Sequence, residues 1–296
     1  MIVLCGTIIK FKIKEIIMGN NDNDEHKTRL NKFISHNSRF SRREADELIK
    51  TGKVSIDGKV ISDLSTKVND KTIVKVNGRT VKVDYKRAST VIVYNKLKGE
   101  IVSKKDPQGR KIIYDTIPKK FNHFIPVGRL DFASEGMLLL TDDPKIATSL
   151  MNSNLERVYK LKIEGEVTAS MISAMENGIT LDDATAGAWD KTKTISMEFS
   201  KFLGYQVQTN TPKFSKLKVA ISEGKNRELR RFFAHFGSKV VDLKRVSFGG
   251  INLNNLPSGK VRYLESDEYE NLRHFMKEQT KLNRKNSNED FYEDEY

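Results

Sequence analysis

Apolar side chains recur along this chain with two periods. From Thr28, Leu30, Phe33 and Ile34 follow helical spacing, and Ala45, Leu48 and Ile49 do so again behind Ser41 and Glu44, a capping-box pair; Gly52 stops that second helix. Short strand-like runs follow. Val54–Ile56 and Lys59–Ile61 flank Asp57-Gly58, and Ile73–Val76 and Thr80–Val83 flank Asn77-Gly78, dipeptides that favour primed hairpin turns. After Lys86–Ser89, which reads as a linker, Val91–Tyr94 opens a second region as a strand. Phe124, Ile125 and Val127 read as a strand reaching Gly128, and Met137–Leu140 as a buried return strand. Asp143 and Pro144 cap and start a helix to about Met151, Val158–Ile163 alternates as a strand, and Thr168–Asn177 is a helix ended by Gly178. Lys216–Ile221 alternates again and leads into GKNRELRRFFAHFG, a helix closed by Gly237. No internal repeat is visible.

Length and charge narrow the class. A chain of 296 residues, 38% hydrophobic, holds two modest domains with cores of their own. Lys plus Arg number 52 against 39 acids, so a polyanion is the expected partner. No apolar run reaches the roughly 18 residues of a membrane span and no long basic amphipathic helix stands out, which favours nucleic acid over a membrane surface. The single cysteine, Cys5, excludes an internal disulfide, and five scattered histidines suggest no metal site, so a reducing cytoplasm is expected. Residues 1–27 read as a disordered or overcalled extension, and 276–296, whose last eight residues carry five acids, as a disordered charged tail.

Candidate chemistry concentrates between the two apolar runs around Gly128. There Arg129, Asp131, Ser134 and Glu135 surround a single large apolar residue, Leu130, which can anchor the turn while Asp131 points the other way. By pattern alone Asp131 is as well explained as a turn cap with Arg129 in a solvated ion pair. Likewise a strand tyrosine such as Tyr159 usually packs in a core, and Trp189 reads as structural. In the last helix Leu229, Phe232, Phe233 and Phe236 share one face, Arg227 and Arg231 lie opposite, toward solvent or phosphate, and Arg230 falls at the boundary. Arg39, Arg42, Arg43, Lys50 and Lys53 cluster around the second N-terminal helix, in a stretch, 28–87, with fifteen Lys plus Arg against seven acids. A solvated basic face would also account for them.

Longer motifs tip these balances. GRLDFASEGMLLLTDD resembles the GRLDxxSxGLLLLTxDG signature of RsuA/RluB-type pseudouridine synthases, and YNKLKGEIVS resembles their opening YNKPKGxxxS, with Leu97 in place of proline. GKNRELRR is similar to their GxNRxxRR, and the closing block VVDLKRVSFGGINLNNLPSGKVRYL also matches. RLNKFISHNSRFSRREADELIKTGKVSIDGKV resembles the ribosomal-protein S4-type RNA-binding motif. The resemblance implies an α+β protein: a small domain of helices and short strands over 28–86, then a catalytic domain over 88–275 with a mixed, mainly antiparallel sheet flanked by helices. It implies isomerisation of uridine to pseudouridine in ribosomal RNA of a bacterial cell, without a cofactor, by a monomer acting on rRNA or a pre-ribosomal particle. Asp131 would be the nucleophile, Arg230 its partner, and Tyr159 would pack on the target base and assist loss of the carbon 5 proton. Arg39, Arg42, Arg43, Lys50, Lys53, Arg129, Arg227 and Arg231 would contact RNA. The Glu of NRELRR inclines the reading to large-subunit rRNA, with small-subunit rRNA as the alternative. Two rivals stand beside it: a glycosidase using Asp131 with Glu135, disfavoured because residues four apart on one turn do not oppose each other, and a non-catalytic assembly protein.

Overall fold

A computed structural model describes residues 27–38, 40–69, 71–82, 89–190 and 192–289, with side chains to 279. The N-terminal extension to residue 26, Arg39, most of the expected linker and residues 290–296 lie outside the described residues. The chain divides into two units, with the boundary between Ser89 and Thr90.

The helices of the first unit are α1 (Leu30–Asn37) and α2 (Arg42–Lys50). Ser41 Oγ accepts from Glu44 N while the Glu44 carboxylate accepts from Ser41 N, so the capping box closes. A four-stranded sheet is made of β1 (Val54–Ile56), β2 (Lys59–Val60), β3 (Val74–Val76) and β4 (Arg79–Thr80), in the order β2-β1-β3-β4. Asp57 and Asn77, at φ 48° and 49°, take the left-handed conformation that the two-residue turns require. Leu30, Phe33, Ile34, Ala45, Ile49, Val54, Val74 and Val76 form its core.

The second unit is built on one sheet. Its main strands are β5 (Val91–Lys96), β6 (Glu135–Thr141), β7 (Arg157–Glu164), β8 (Gly204–Thr209), β9 (Phe214–Ile221), β10 (Val240–Phe248) and β11 (Val261–Tyr263), in the order β8-β9-β7-β10-β6-β5-β11. Only the β10–β6 pairing is parallel, so the sheet is mixed and mainly antiparallel. Both faces are covered, which is why Met137–Leu140 is apolar at every position. On one face Leu138, Leu140, Leu161, Leu217 and Val219 pack under α4 (Ala169–Asn177) and α5 (Glu228–His235). On the other, Val91, Val93, Met137 and Leu139 pack with Ile146 and Leu150 of α3 (Pro144–Met151) and Leu272 of α6 (Ser266–Glu289).

Two expectations change. The strand expected over Phe124–Val127 shortens to Ile125–Pro126 at the edge of β6. The tail expected to be disordered from 276 continues as helix to Glu289: Tyr269, Leu272, Phe275 and Met276, at helical spacing, seat α6 on the second core.

Candidate active site

Asp131 stands on the loop between Gly128 and β6. Leu130 is buried in the first core and pins that loop, leaving the Asp131 side chain 32% exposed. Ser134 N donates to Asp131 O at 3.0 Å, closing a turn directly before the strand. Support also comes from β5, where the ammonium of Lys96, wholly buried, donates to the carbonyls of Leu97, Asp131 and Ser134 at 2.9, 3.2 and 2.9 Å. Burial lowers the Lys96 pKa to about 8, while Glu100, Asp131 and Glu135 oppose that shift. Glu100 is buried too, accepting from Tyr94 Oη at 2.6 Å and pairing with Lys111 at 3.3 Å. Lys96 and Glu100 belong to YNKLKGEIVS, yet the hold of Lys96 on the Asp131 loop is invisible in it, because the Asp131 and Ser134 carbonyls are 35 and 38 residues away.

Two arginines of the α5 segment meet the Asp131 carboxylate. Arg227 Nη1 lies 3.4 Å and Arg230 Nε 3.6 Å from Asp131 Oδ2. The second distance is that of an ion pair without a hydrogen bond. The rest of the Arg230 fork is engaged: Nη1 donates to Val240 O at 2.9 Å, Nη2 to Ser134 Oγ at 3.1 Å and Ala133 O at 3.2 Å. Burial and the like charge of Arg227 lower the Arg230 pKa, and Asp131 opposes them. Arg230 therefore grips both the loop and the carboxylate, as the boundary position on the helix allows.

The other two arginines depart from the expectation of a solvent-facing side. Arg227, at the N-cap with φ 53°, donates through Nε to Gly187 O at 2.7 Å and turns Nη1 to Asp131. Arg231 is fully buried, donating to Ala184 O, Thr194 O, Thr192 Oγ1 and Asn226 Oδ1. The physical reason is the segment 182–196, which covers the polar side of α5 and presents backbone carbonyls to it. Gly187 makes that approach possible, since a Cβ there would lie 2.4 Å from Arg230 O. Trp189, in the same segment and read from the sequence as structural, is 63% exposed.

Tyr159 is buried on β7, on the sheet face that carries Leu130 and α5. It pairs with Arg245 of β10, which pairs with Gly136 of β6, so one row runs from Tyr159 to the residue after Glu135. A register shift in β10 opposite Val158 and Tyr159 is a bulge of the kind that re-aims a side chain. Gly136, at φ 100°, permits this crossing: a Cβ would meet Arg245 O at 2.3 Å. Arg245 is itself buried and donates to Met137 O at 2.8 Å.

Of the remaining candidates, Arg42, Arg43, Lys50 and Lys53 are exposed in the first unit and Arg129 is exposed near Asp131. Among the described residues no helix is long and apolar enough to cross a membrane.

Residues 90–235 match the family model of RNA pseudouridylate synthase, and residues 28–74 that of the S4 domain. The chain is 48% identical over 248 residues to an uncharacterized RNA pseudouridine synthase of Helicobacter pylori, covering 84% of this chain and 94% of the relative. It is 36% identical to the ribosomal large subunit pseudouridine synthase B of Bacillus subtilis, covering 83% and 95%. A crystal structure of a pseudouridylate synthase superposes with TM-score 0.54 at 24% identity, over 82% of this chain and 99% of the other, and so shares the fold. With relatives this similar along nearly their whole length, the chain belongs to the RNA pseudouridylate synthase family and carries an S4 domain ahead of the catalytic one.

Proposed function

We propose that this enzyme converts a uridine of large-subunit ribosomal RNA to pseudouridine, with the Asp131 carboxylate as nucleophile. The observation that carries the reading is the Asp131 loop itself. One partly exposed carboxylate is held by Lys96 through the backbone and faced by Arg227 and Arg230 through the side chain. Such preorganisation suits a group that must attack one carbon from one direction. Asp131 displaces uracil from the ribose, breaking the bond between N1 and C1′. Uracil, released as its N1 anion, then turns; C5 bonds to C1′ as the bond between C1′ and the Asp131 carboxylate breaks and the carboxylate is regenerated, the C5 proton departs, and N1 is protonated. Atoms and electrons balance without oxidant or cofactor. A paired base is out of reach inside a stack, so the target uridine flips out or begins in a loop. Tyr159, in the strand row that ends beside the Asp131 loop, supplies the surface on which the base packs and assists removal of the C5 proton.

Large-subunit rRNA is favoured over small-subunit rRNA by the name and near full-length similarity of the Bacillus subtilis relative. The S4 domain and its exposed Arg42, Arg43, Lys50 and Lys53 supply affinity through phosphates, without reading sequence. The test is a map of pseudouridines in both ribosomal RNAs from cells with and without the gene. One large-subunit site should disappear on deletion, return with the wild-type gene, and stay absent with Asp131→Asn. Loss of a small-subunit site moves the substrate; full rescue by Asp131→Asn removes Asp131 from the chemistry and favours an assembly protein.

A further inference from the structure

Trp189 is the only tryptophan in the chain, and most of its indole lies in solvent. Among the described residues no aromatic ring or cation packs on it. A side chain of that size stabilises a fold when buried, so leaving it outside gives up a large apolar contribution.

Its support is far from loose. The segment 182–196 is fastened to α5 by Arg231, through the carbonyls of Ala184 and Thr194 and the hydroxyl of Thr192. Arg227 adds the bond to Gly187 O. Two turn bonds shape the tip, Ala188 N to Thr185 O at 2.9 Å and Thr192 N to Trp189 O at 2.8 Å. The same guanidinium that touches Gly187 with Nε touches Asp131 with Nη1. Trp189 is two residues beyond Gly187, a reach of at most about 7 Å along the backbone. Phe132, 49% exposed, directly follows Asp131. Of the three exposed aromatic side chains among the described residues, Phe132, Trp189 and Tyr263, two thus stand on segments tied to the carboxylate.

We infer that Trp189 is a stacking platform for an unpaired base flanking the target uridine, a role that rests on the activity proposed above. Extruding one nucleotide strips its neighbours of a stacking partner, and a nearby indole returns that contact to one of them. Stacking on an aromatic face tolerates any base, so Trp189 adds affinity and holds the strand without dictating its sequence.

The lone tryptophan reports on itself. Full-length Asp131→Asn protein, titrated with a transcribed, unmodified rRNA fragment that the wild-type enzyme modifies, should lose indole emission along a saturable binding curve. Trp189→Ala should raise KM roughly tenfold with a much smaller change in kcat, and Trp189→Phe should recover most of that loss, both with unchanged melting temperature. Replacing flanking nucleotides one at a time by abasic sites should reveal one whose loss weakens wild type about tenfold and leaves Trp189→Ala unaffected. Saturable binding with unchanged emission overturns the inference, as does an abasic series costing both proteins equally. Emission that shifts with protein concentration in the absence of RNA overturns it in favour of self-association. An enzyme that modifies no rRNA fragment fails earlier, at the proposed function.

Discussion

Helices α2 and α5 look alike in sequence and behave oppositely in the fold. Each is a short amphipathic helix with Arg-Arg and a Glu in its first turns, RREADELIK and ELRRFFAH. On α2 the cations Arg42, Arg43 and Lys50 are exposed, and Glu44 serves its own helix as the capping carboxylate. On α5 Arg230, Arg231 and Glu228 are all buried, and the arginines bind carbonyls of segments up to about a hundred residues away in the chain. A guanidinium costs much free energy to bury unless its donors are used. The second helix meets that condition because loops on both sides of it expose backbone acceptors, while the first has solvent there. Identical residue types thus face solvent in one place and hold the Asp131 loop in the other.

The largest expected effect is at the fully buried arginine of α5. Arg231→Met leaves the carbonyls of Ala184 and Thr194 without donors and should destabilise the catalytic unit by on the order of 3 to 5 kcal/mol, measured by denaturant unfolding. Arg42→Met on α2 should stay within about 0.5 kcal/mol. Comparable losses at the two positions would erase the contrast.

A pH experiment sharpens it. Glu228 is buried and accepts from Lys225 N at 3.0 Å; burial raises its pKa to about 7, against the Lys225 backbone donor, which lowers it. Because the folded pKa is raised above the unfolded value of 4.5, the folded state holds the extra proton between the two. The associated stability is full below 4.5 and is lost as pH rises through about 7, up to about 3 kcal/mol in all. Glu228→Gln should remove that decline, so the variant gains on wild type at pH 8 relative to pH 5. A constant difference between them would show that Glu228 stays charged throughout.

Smaller effects belong to the exposed cations. Replacing Arg42, Arg43 and Lys50 together by alanine should lower the slope of log affinity for rRNA against log salt by about 2, since each phosphate contact releases counterions, with kcat unchanged. An unaltered slope would make α2 a solvated face only. Least of all, Lys160 stands directly across from Lys218 on one side and Lys244 on the other. Like charges so placed repel, and Lys160→Thr should raise stability by a few tenths of a kcal/mol to about 1. A loss of stability would mean that the row holds favourable contacts instead.

Local structure was legible wherever a residue acts on its sequence neighbours. Ser41 with Glu44, Asp143 with Pro144 and Thr168 mark helix starts because a side-chain oxygen reaches an amide two or three residues on. Asp131 was legible for another reason, the length of the motif around it, as was the pairing with Arg230, found at 3.6 Å. Lys96 and Arg245 were not, since each supports the site through carbonyls 38 and 108 residues distant.

What the sequence alone determined, then, is the order of elements, their ends and turns, and the stretch that holds the carboxylate, since all of these rest on contacts within a few residues. The tertiary structure decided which polar faces are covered. A helical wheel shows that Arg227 and Arg231 lie opposite the apolar side of α5, but segment 182–196, without any period of its own, lies over that side in the fold. Its carbonyls make buried arginines affordable there, and its tip leaves Trp189 outside.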